Sequence, residues 1–362
     1  MKKNIDYKLL IMVILLAVFG VVMIYSASFV WAEYKFNDSF KFVKSQSLFL
    51  FIGIVITIIL SKIDYKLYAK YANWILLISL ILLVLVLVPG LGVVRNGSRS
   101  WFGIGSFGVQ PSEAAKMALI IYTSYYLSKN KINQNNNIKN VIPLLLIIVF
   151  SFGLIMLEPD FGTGFVLILT NIVLIFISGV DFSFFVKLGV LGLGGIGVLV
   201  AIAPYRLERI TSFLNPWSDP LGSGFQIIQS LYAIGPGGLL GQGFLSSRQK
   251  NFYLPEPQTD FIFSIISEEF GVLGVLIVTF AFGFIFYRIV KISLTTQDLF
   301  GKYLSFGFGI AILIQGLLNL AVVIGIMPVT GVTLPFLSYG GSSLLISLAS
   351  IGIILNISKN NK

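Results

Sequence analysis

Apolar residues in this chain come in long, nearly unbroken blocks, not in two-residue alternation or in stripes with a polar opposite face. Each block is roughly 17–25 residues long, the length a helix needs to cross a hydrocarbon core of about 30 Å. Reading between charged or Pro/Gly-rich breaks predicts ten helices, at about 8–31, 46–63, 72–94, 111–128, 140–158, 161–180, 184–204, 260–287, 303–325 and 334–357. No alternation of the transmembrane-barrel type competes with them. The predicted fold class is therefore all-α: a polytopic integral membrane protein of about ten transmembrane helices, with residues 1–362 forming one domain without internal repeats. An Asn-rich patch at 133–137 reads as a solvated loop. The longest connection, 205–259, is a large outer loop between the seventh and eighth helices. It keeps apolar residues such as Ile227, Ile228, Leu231 and Tyr232, so amphipathic half-helices forming a cap are expected there.

Composition agrees with a membrane fold: 56% hydrophobic, 11% charged, with a mean hydropathy of +0.93. The Lys/Arg placement sets the orientation. With an even number of spans both termini share a side, and that side collects Lys2, Lys3, Lys8, Lys62, Lys66, Lys70, Lys129, Lys131, Lys139, Arg288, Lys291, Lys302, Lys359 and Lys362. Both termini are predicted to be cytoplasmic. The formal charge of +10 is then mostly explained by short cytoplasmic loops and gives no reason to expect nucleic acid. The amino-terminal segment imitates a signal peptide, but its apolar run exceeds the usual 7–15 residues and reads as an uncleaved first helix. Without cysteine or histidine, thiol chemistry and the usual zinc ligands are excluded, leaving carboxylates, hydroxyls, Lys and Arg.

The exceptions to the charge rule are informative. Lys35, Lys41 and Lys44 break it mildly beside Glu33 and Asp38, whereas Arg95, Arg99, Arg206, Arg209, Arg248 and Lys250 fall on the outer face outright. Glu113, Glu158, Asp160, Glu208, Asp219, Glu256, Asp260, Glu268 and Glu269 gather there too. Both signs of charge converge on one face, which predicts a polar site at or above the outer leaflet.

Four constellations carry that site. In Gln110-Pro111-Ser112-Glu113-Ala114-Ala115-Lys116, Pro111 suits a first helical turn, Ser112 a cap, and Glu113 and Lys116 stand i, i+3 on one face; a structural ion pair is the alternative to a functional one. Arg99 beside Trp101 could hold a phosphate or anchor the interface. In Glu158-Pro159-Asp160 two acids suggest a divalent cation, but a helix cap at Asp160 is the simpler role. Arg206 and Arg209 suit a diphosphate or a headgroup. The Pro, Gly and Ser residues of 327–343 imply a broken or re-entrant helix at membrane depth, or close helix packing.

Asp260 opens an apolar stretch in Leu254-Pro255-Glu256-Pro257-Gln258-Thr259-Asp260-Phe261. A charged side chain near hydrocarbon costs about 2.5–3.5 kcal/mol on the lenient insertion scale, so a boundary acid is a candidate functional site. A helix-start position, favoured by the dipole, is the structural alternative; the dipole would also keep the carboxyl ionised, as a general base requires.

Taken together these motifs resemble the SEDS family of shape, elongation, division and sporulation proteins, which are polytopic peptidoglycan glycosyltransferases. The similarity runs through nearly the whole chain: Asn96-Gly97-x-Arg99-x-Trp101, Gln110-Pro111-Ser112-Glu113-x-x-Lys116, Pro159-Asp160-x-Gly162-Thr163, Gln249-Lys250-x-x-Tyr253-Leu254-Pro255-Glu256, Thr259-Asp260-Phe261-Ile262-Phe263, Glu268-Glu269-x-Gly271, Asn319, and Pro328 through Ser343 with Ser338. Met23-Ile24-Tyr25-Ser26-Ala27-Ser28 and the Leu254–Asp260 run look more like the division and sporulation branch (FtsW, SpoVE) than the elongation branch (RodA).

The resemblance implies polymerisation of lipid II, with the 4-hydroxyl of one disaccharide attacking the anomeric carbon of another and undecaprenyl pyrophosphate departing. Asp260 matches the family's essential acid and is assigned as general base. Glu113 and Lys116 match a functional pair, and Trp101 lies in a motif beside the substrate groove. Arg99, Arg206, Arg209 and Lys250 are assigned as diphosphate or substrate contacts, from charge and sidedness more than from the resemblance; Asp160 and Ser338 join the substrate-binding set. Mg²⁺ or Mn²⁺ on the diphosphate is expected without an identifiable ligand set, and no organic cofactor is. Expected partners are a class B penicillin-binding protein and divisome or elongasome proteins. Two departures weaken part of the match: Gly108 stands where some members have a basic residue, and Ser100 replaces a second Arg before the Trp. A lipid II flippase is the main alternative function, and a scaffold that only anchors a transpeptidase is a third.

Overall fold

The computed structural model describes residues 5–95, 98–104, 107–130, 138–202, 207 and 213–360. Ten long helices occupy the predicted positions: α1 (Tyr7–Phe36), α2 (Lys41–Leu60), α3 (Lys66–Leu87), α4 (Pro111–Asn130), α5 (Ile142–Leu157), α6 (Phe161–Ile177), α7 (Phe182–Ile202), then, after a short helix α8 (Phe225–Ile234), α9 (Ile262–Thr295), α10 (Leu299–Val323) and α11 (Gly341–Asn360). Among the described residues six of them, α1, α2, α3, α9, α10 and α11, are long and apolar enough to cross a membrane; α5, α6 and the first part of α7 are shorter apolar helices. α4 carries Glu113, Lys116 and Lys129 and is correspondingly more polar. The fold is a polytopic helical membrane bundle.

Local chemistry sets several helix ends. Asp6 accepts from Leu9 N at 3.1 Å to cap α1, and Asp298 accepts from Gly301 N at 2.9 Å to cap α10. α1 stops at Asn37, which takes the left-handed conformation at φ 51°.

Several boundaries lie five to eight residues from expectation, the end of α9 at Thr295 instead of 287 among them, and two have a local cause. The third helix ends at Leu87 instead of running to 94, because Pro89 cannot continue it. The residues beyond form three short antiparallel strands, β1 (Val93–Arg95), β2 (Ser98–Ile104) and β3 (Phe107–Val109), which the block pattern does not predict. These strands are only three to seven residues long, far below the window that reveals a membrane helix. The last helix begins at Gly341, not 334, because residues 334–340 fold as a non-helical segment between α10 and α11.

Helix pairs α2/α11, α9/α10, α3/α4 and α4/α10 make the main contacts of the bundle, with α1/α9 next. Gly20 lets α1 lie against the segment preceding α11: a Cβ there would fall 2.7 Å from the Phe336 carbonyl. Where the two ends of the chain meet, Asp6 N donates to Ser358 Oγ at 3.2 Å, and Arg288 of α9 donates to Asp6 Oδ2 through Nη2 at 2.6 Å and Nε at 3.1 Å. The N-terminus of α9, with Asp260, therefore lies at the opposite end of the bundle.

α9 breaks at Gly271 (φ 61°, ψ −154°), a conformation that only glycine adopts cheaply. The break frees backbone groups for the preceding loop. Gln242 N and Gly243 N donate to the carbonyls of Glu268 and Glu269 at 2.9 and 3.0 Å, while Val272 N and Leu273 N donate to those of Gly238 and Leu239 at 3.0 and 3.2 Å. The loop's glycine-rich run is thus pinned to the helix edge. Within the same connection, α8 buries Ile227, Ile228 and Ala233 and exposes Tyr232, the amphipathic half-helix expected there.

Candidate functional site

Asp260 is half-buried and sits two residues before α9, but it does not cap that helix: Phe261 is the capping position, and no side chain bonds there. Its Oδ1 instead accepts from the Thr259 hydroxyl at 2.8 Å, and its backbone carbonyl accepts from Asn319 Nδ2 at 2.7 Å. Asn319 is buried on α10 and also donates to the Val332 carbonyl at 2.8 Å. One residue before Thr259, the Gln258 carbonyl accepts from Tyr339 N at 2.8 Å. The acid is therefore held among the loop preceding α9, α10 and the 327–340 segment.

A second centre lies on α4. Lys116 Nζ stands 2.9 Å from Glu113 Oε2, with the two side chains 6% and 7% exposed, and it also donates to Gln315 Oε1 at 2.6 Å. The i, i+3 pairing is formed, and a polar acceptor on α10 helps compensate the desolvated ammonium. Beneath it a cavity of about 20 Å³, room for a single water, is bounded by Glu113, Lys116, Gln315, Ser347 and Ser350.

Asp160 caps α6 through Oδ1, accepting from Thr163 N at 3.0 Å. Its Oδ2 accepts from Gln110 Nε2 at 2.8 Å and Ser112 Oγ at 3.3 Å. Ser112 therefore reaches across to α6, where the sequence suggested it would cap its own helix. Gln110 N donates to Ser342 Oγ at 3.0 Å, and that hydroxyl donates to the Gly108 carbonyl at 3.0 Å, so the strand segment, α4, α6 and α11 meet at one point. Glu158 beside them is fully buried, with neither carboxyl oxygen hydrogen-bonded among the described residues. Burial, and secondarily the Asp160 charge, pushes its carboxyl up to about 9.

The predicted basic contacts fare differently. Lys250 is not offered to solution: Nζ lies 2.9 Å from Glu269 Oε1, the side chains are 2% and 0% exposed, and the ammonium sits 5.0 Å from the Phe29 ring centre. A ligand could meet this ammonium only by breaking that pair. Both Glu269 oxygens also accept from Ser26 Oγ of α1, at 2.6 and 2.7 Å. Glu268 accepts from Ser247 Oγ at 2.5 Å and Arg248 N at 2.8 Å. These two glutamates anchor the loop that leads to Asp260. Ser338 is likewise buried, its Oγ accepting from Leu334 N at 2.9 Å and its carbonyl from Gln46 Nε2 at 3.0 Å, and it shapes the 334–340 turn. Arg99 lies on β2, partly exposed, with Nη1 3.4 Å from the Leu87 carbonyl at the C-terminal end of α3. Trp101, also on β2, is half-buried opposite Val93. Arg206 and Arg209 lie outside the described residues.

Gln46 and Gln315 were not singled out from the sequence, yet each bonds the segments around the site. An amide inside an apolar helix, as at Gln315, is the signal that marks such a residue, because lipid offers it no partner. Among the described residues no group of three acids gathers to hold a metal.

The comparisons with known proteins cover the whole bundle. A model of the FtsW/RodA/SpoVE family, described as cell cycle protein, matches residues 7–362. Stage V sporulation protein E of Bacillus subtilis is 50% identical over 361 residues, covering 100% of this chain and 99% of that protein. A probable peptidoglycan glycosyltransferase FtsW of Trichlorobacter lovleyi is 43% identical over 357 residues, covering 99% and 94%. Among solved structures, a chain from work on the structural coordination of polymerization and crosslinking by a peptidoglycan synthase complex superposes with a TM-score of 0.81 at 31% identity, covering 99% and 98%. The rod shape determining protein RodA of Thermus thermophilus superposes with a TM-score of 0.73 at 27% identity, again covering 99% and 98%. On sequence and fold together, this chain belongs to the FtsW/RodA/SpoVE family of cell cycle proteins.

Proposed function

We propose that the chain is a peptidoglycan glycosyltransferase that polymerises lipid II at the outer face of the cytoplasmic membrane, with Asp260 as general base. The class of enzyme follows the name borne by its FtsW relatives. In the reaction Asp260 takes the proton of the acceptor's 4-hydroxyl as that oxygen bonds the donor's anomeric carbon. The donor's bond to undecaprenyl pyrophosphate breaks, and the diphosphate leaves with the electron pair. The observation that carries the reading is the state of Asp260: a partly exposed carboxyl, not spent as a helix cap, at the meeting of the loop, α10 and the 327–340 segment. Arg99, with Arg206 and Arg209, supplies positive charge for the leaving diphosphate. The Glu113 and Lys116 pair holds the neighbouring wall of the groove. Mg²⁺ or Mn²⁺, if bound, would add positive charge beside the leaving diphosphate.

The flippase reading is less favoured. Transport needs charge along a path across the whole bilayer, whereas Asp260, Asp160 and the Glu113/Lys116 pair cluster at the end of the bundle away from the termini. With both termini cytoplasmic, that end faces outward. A class B penicillin-binding protein, with other divisome or elongasome proteins, is the proposed partner; a solved relative comes from a complex coordinating polymerization and crosslinking.

The test is lipid II polymerisation by the purified chain with its partner. Asp260→Ala and Asp260→Asn should abolish glycan strands while leaving assembly with the partner intact; full polymer yield from both variants would overturn the base assignment.

A further inference from the structure

Two side-chain amides on α10, Gln315 and Asn319, stand one turn apart, and each holds one of two consecutive carbonyls in the 327–340 segment. Gln315 Nε2 donates to the Thr333 carbonyl at 3.0 Å and Ser343 Oγ at 3.2 Å; Asn319 Nδ2 donates to the Val332 carbonyl at 2.8 Å. Their remaining bonds reach the two charged centres. Gln315 Oε1 accepts from Lys116 Nζ at 2.6 Å, and the second Asn319 amide hydrogen goes to the Asp260 carbonyl at 2.7 Å. Both side chains are buried, at 4% and 1% exposure.

The orientation of the Asn319 amide is forced by chemistry. Its two neighbours are carbonyls, which only accept, so the NH₂ end must face them and both of its hydrogens are used. The price is a buried Oδ1 without a hydrogen-bond partner among the described residues. An unmet buried acceptor is a standing cost, and a side chain kept there despite it indicates that the two donated bonds matter.

We propose that Asn319 is a positioning residue for Asp260, and that Gln315 and Asn319 act as an amide ladder fixing the distance between Asp260 and the Glu113/Lys116 pair. Asp260 and Lys116 are each bonded to an amide of α10, the two amides one turn apart, so α10 is the common reference for both centres, and the carbonyls of residues 332 and 333 hold the two amides in place. A movement of α10 therefore carries Asp260 and Lys116 together, which keeps the base and the Glu113/Lys116 pair in register. The inference rests on Asp260 being the general base and deepens that reading.

Asn319 acts through the place of Asp260 and does not touch the substrate, so its loss should appear in turnover and not in substrate binding. Misplacement of a catalytic group by about 1 Å costs on the order of 100-fold. Polymerisation kinetics on lipid-diphosphate disaccharide are expected to give Asn319→Ala a kcat about 10- to 100-fold below the parent with KM within about twofold, and Asn319→Ser, which keeps one donor, a kcat between the two. An unchanged kcat in Asn319→Ala, or a raised KM at parental kcat, would overturn the proposal; so would Asn319→Ser matching Asn319→Ala, since a graded loss of donors should give a graded loss of rate. Asp260→Asn in the same assay separates the two claims: full turnover there sinks the general base, whereas lost turnover there with parental kcat in Asn319→Ala sinks only the ladder.

Discussion

Replacing Lys250 by Met should destabilise the protein far more than replacing Lys250 and Glu269 together. At 2.9 Å and an effective dielectric of about 20, the gross attraction is about 6 kcal/mol, most of it offset by the desolvation of two groups that are 2% and 0% exposed. Removing only the lysine leaves a carboxylate sealed among Ser26, Ser247 and the helix. Ser26 and Ser247 N can compensate part of that charge, but breaking one side of a buried pair typically costs about 3–5 kcal/mol. Lys250→Met/Glu269→Gln removes both charges and keeps the volume, and it should fall within about 1–2 kcal/mol of the parent. Denaturant unfolding in mixed micelles, followed by circular dichroism, gives the four corners of the cycle. A single variant within about 1 kcal/mol of the parent, or a double variant as unstable as the sum of the singles, would refute the buried pair as the anchor of the loop that carries Asp260.

Gly271→Ala should loosen the same loop, because its φ of 61° strains any Cβ and that atom would fall 2.5 Å from Gly241 N. A cost of about 1–3 kcal/mol is expected, read as faster limited proteolysis within 237–261, and unchanged cleavage would contradict the docking of the loop on the helix break. Glu158→Gln tests the buried acid next to Asp160. A carboxyl whose pKa is raised from 4.5 to about 9 in the folded protein contributes its full stability below 4.5 and loses it progressively up to about 9. The glutamine variant should therefore gain on the parent in thermal midpoint between pH 5 and 9, and parallel pH profiles for the two proteins would refute the shift.

How much of the site the sequence shows depends on how local each interaction is. Glu113 and Lys116 could be paired from spacing alone, because i, i+3 residues face each other on any helix. Asp160 could be read as a cap from its place before an apolar run. The partners of Lys250 and Ser338 could not be read: Glu269 lies across a loop and a helix turn from Lys250, and the hydroxyl of Ser338 closes a turn within 334–338. Asp260 resembled a helix cap until its bonds to Thr259 and Asn319 gave it another setting.

The sequence by itself determined that this is a helical membrane protein, roughly where ten helices lie, and that its unexplained acids collect at one end. Those features follow from composition within single blocks of about 20 residues, and hydrocarbon enforces them block by block. Only the tertiary structure decided which charges are consumed and which remain at the surface. That choice turns on pairs far apart in the chain, Ser26 with Glu269 and Asp260 with Asn319, and on a single glycine that opens α9 to its own loop. Burial and partnership are properties of the packed bundle, and no window of sequence contains both members of such a pair.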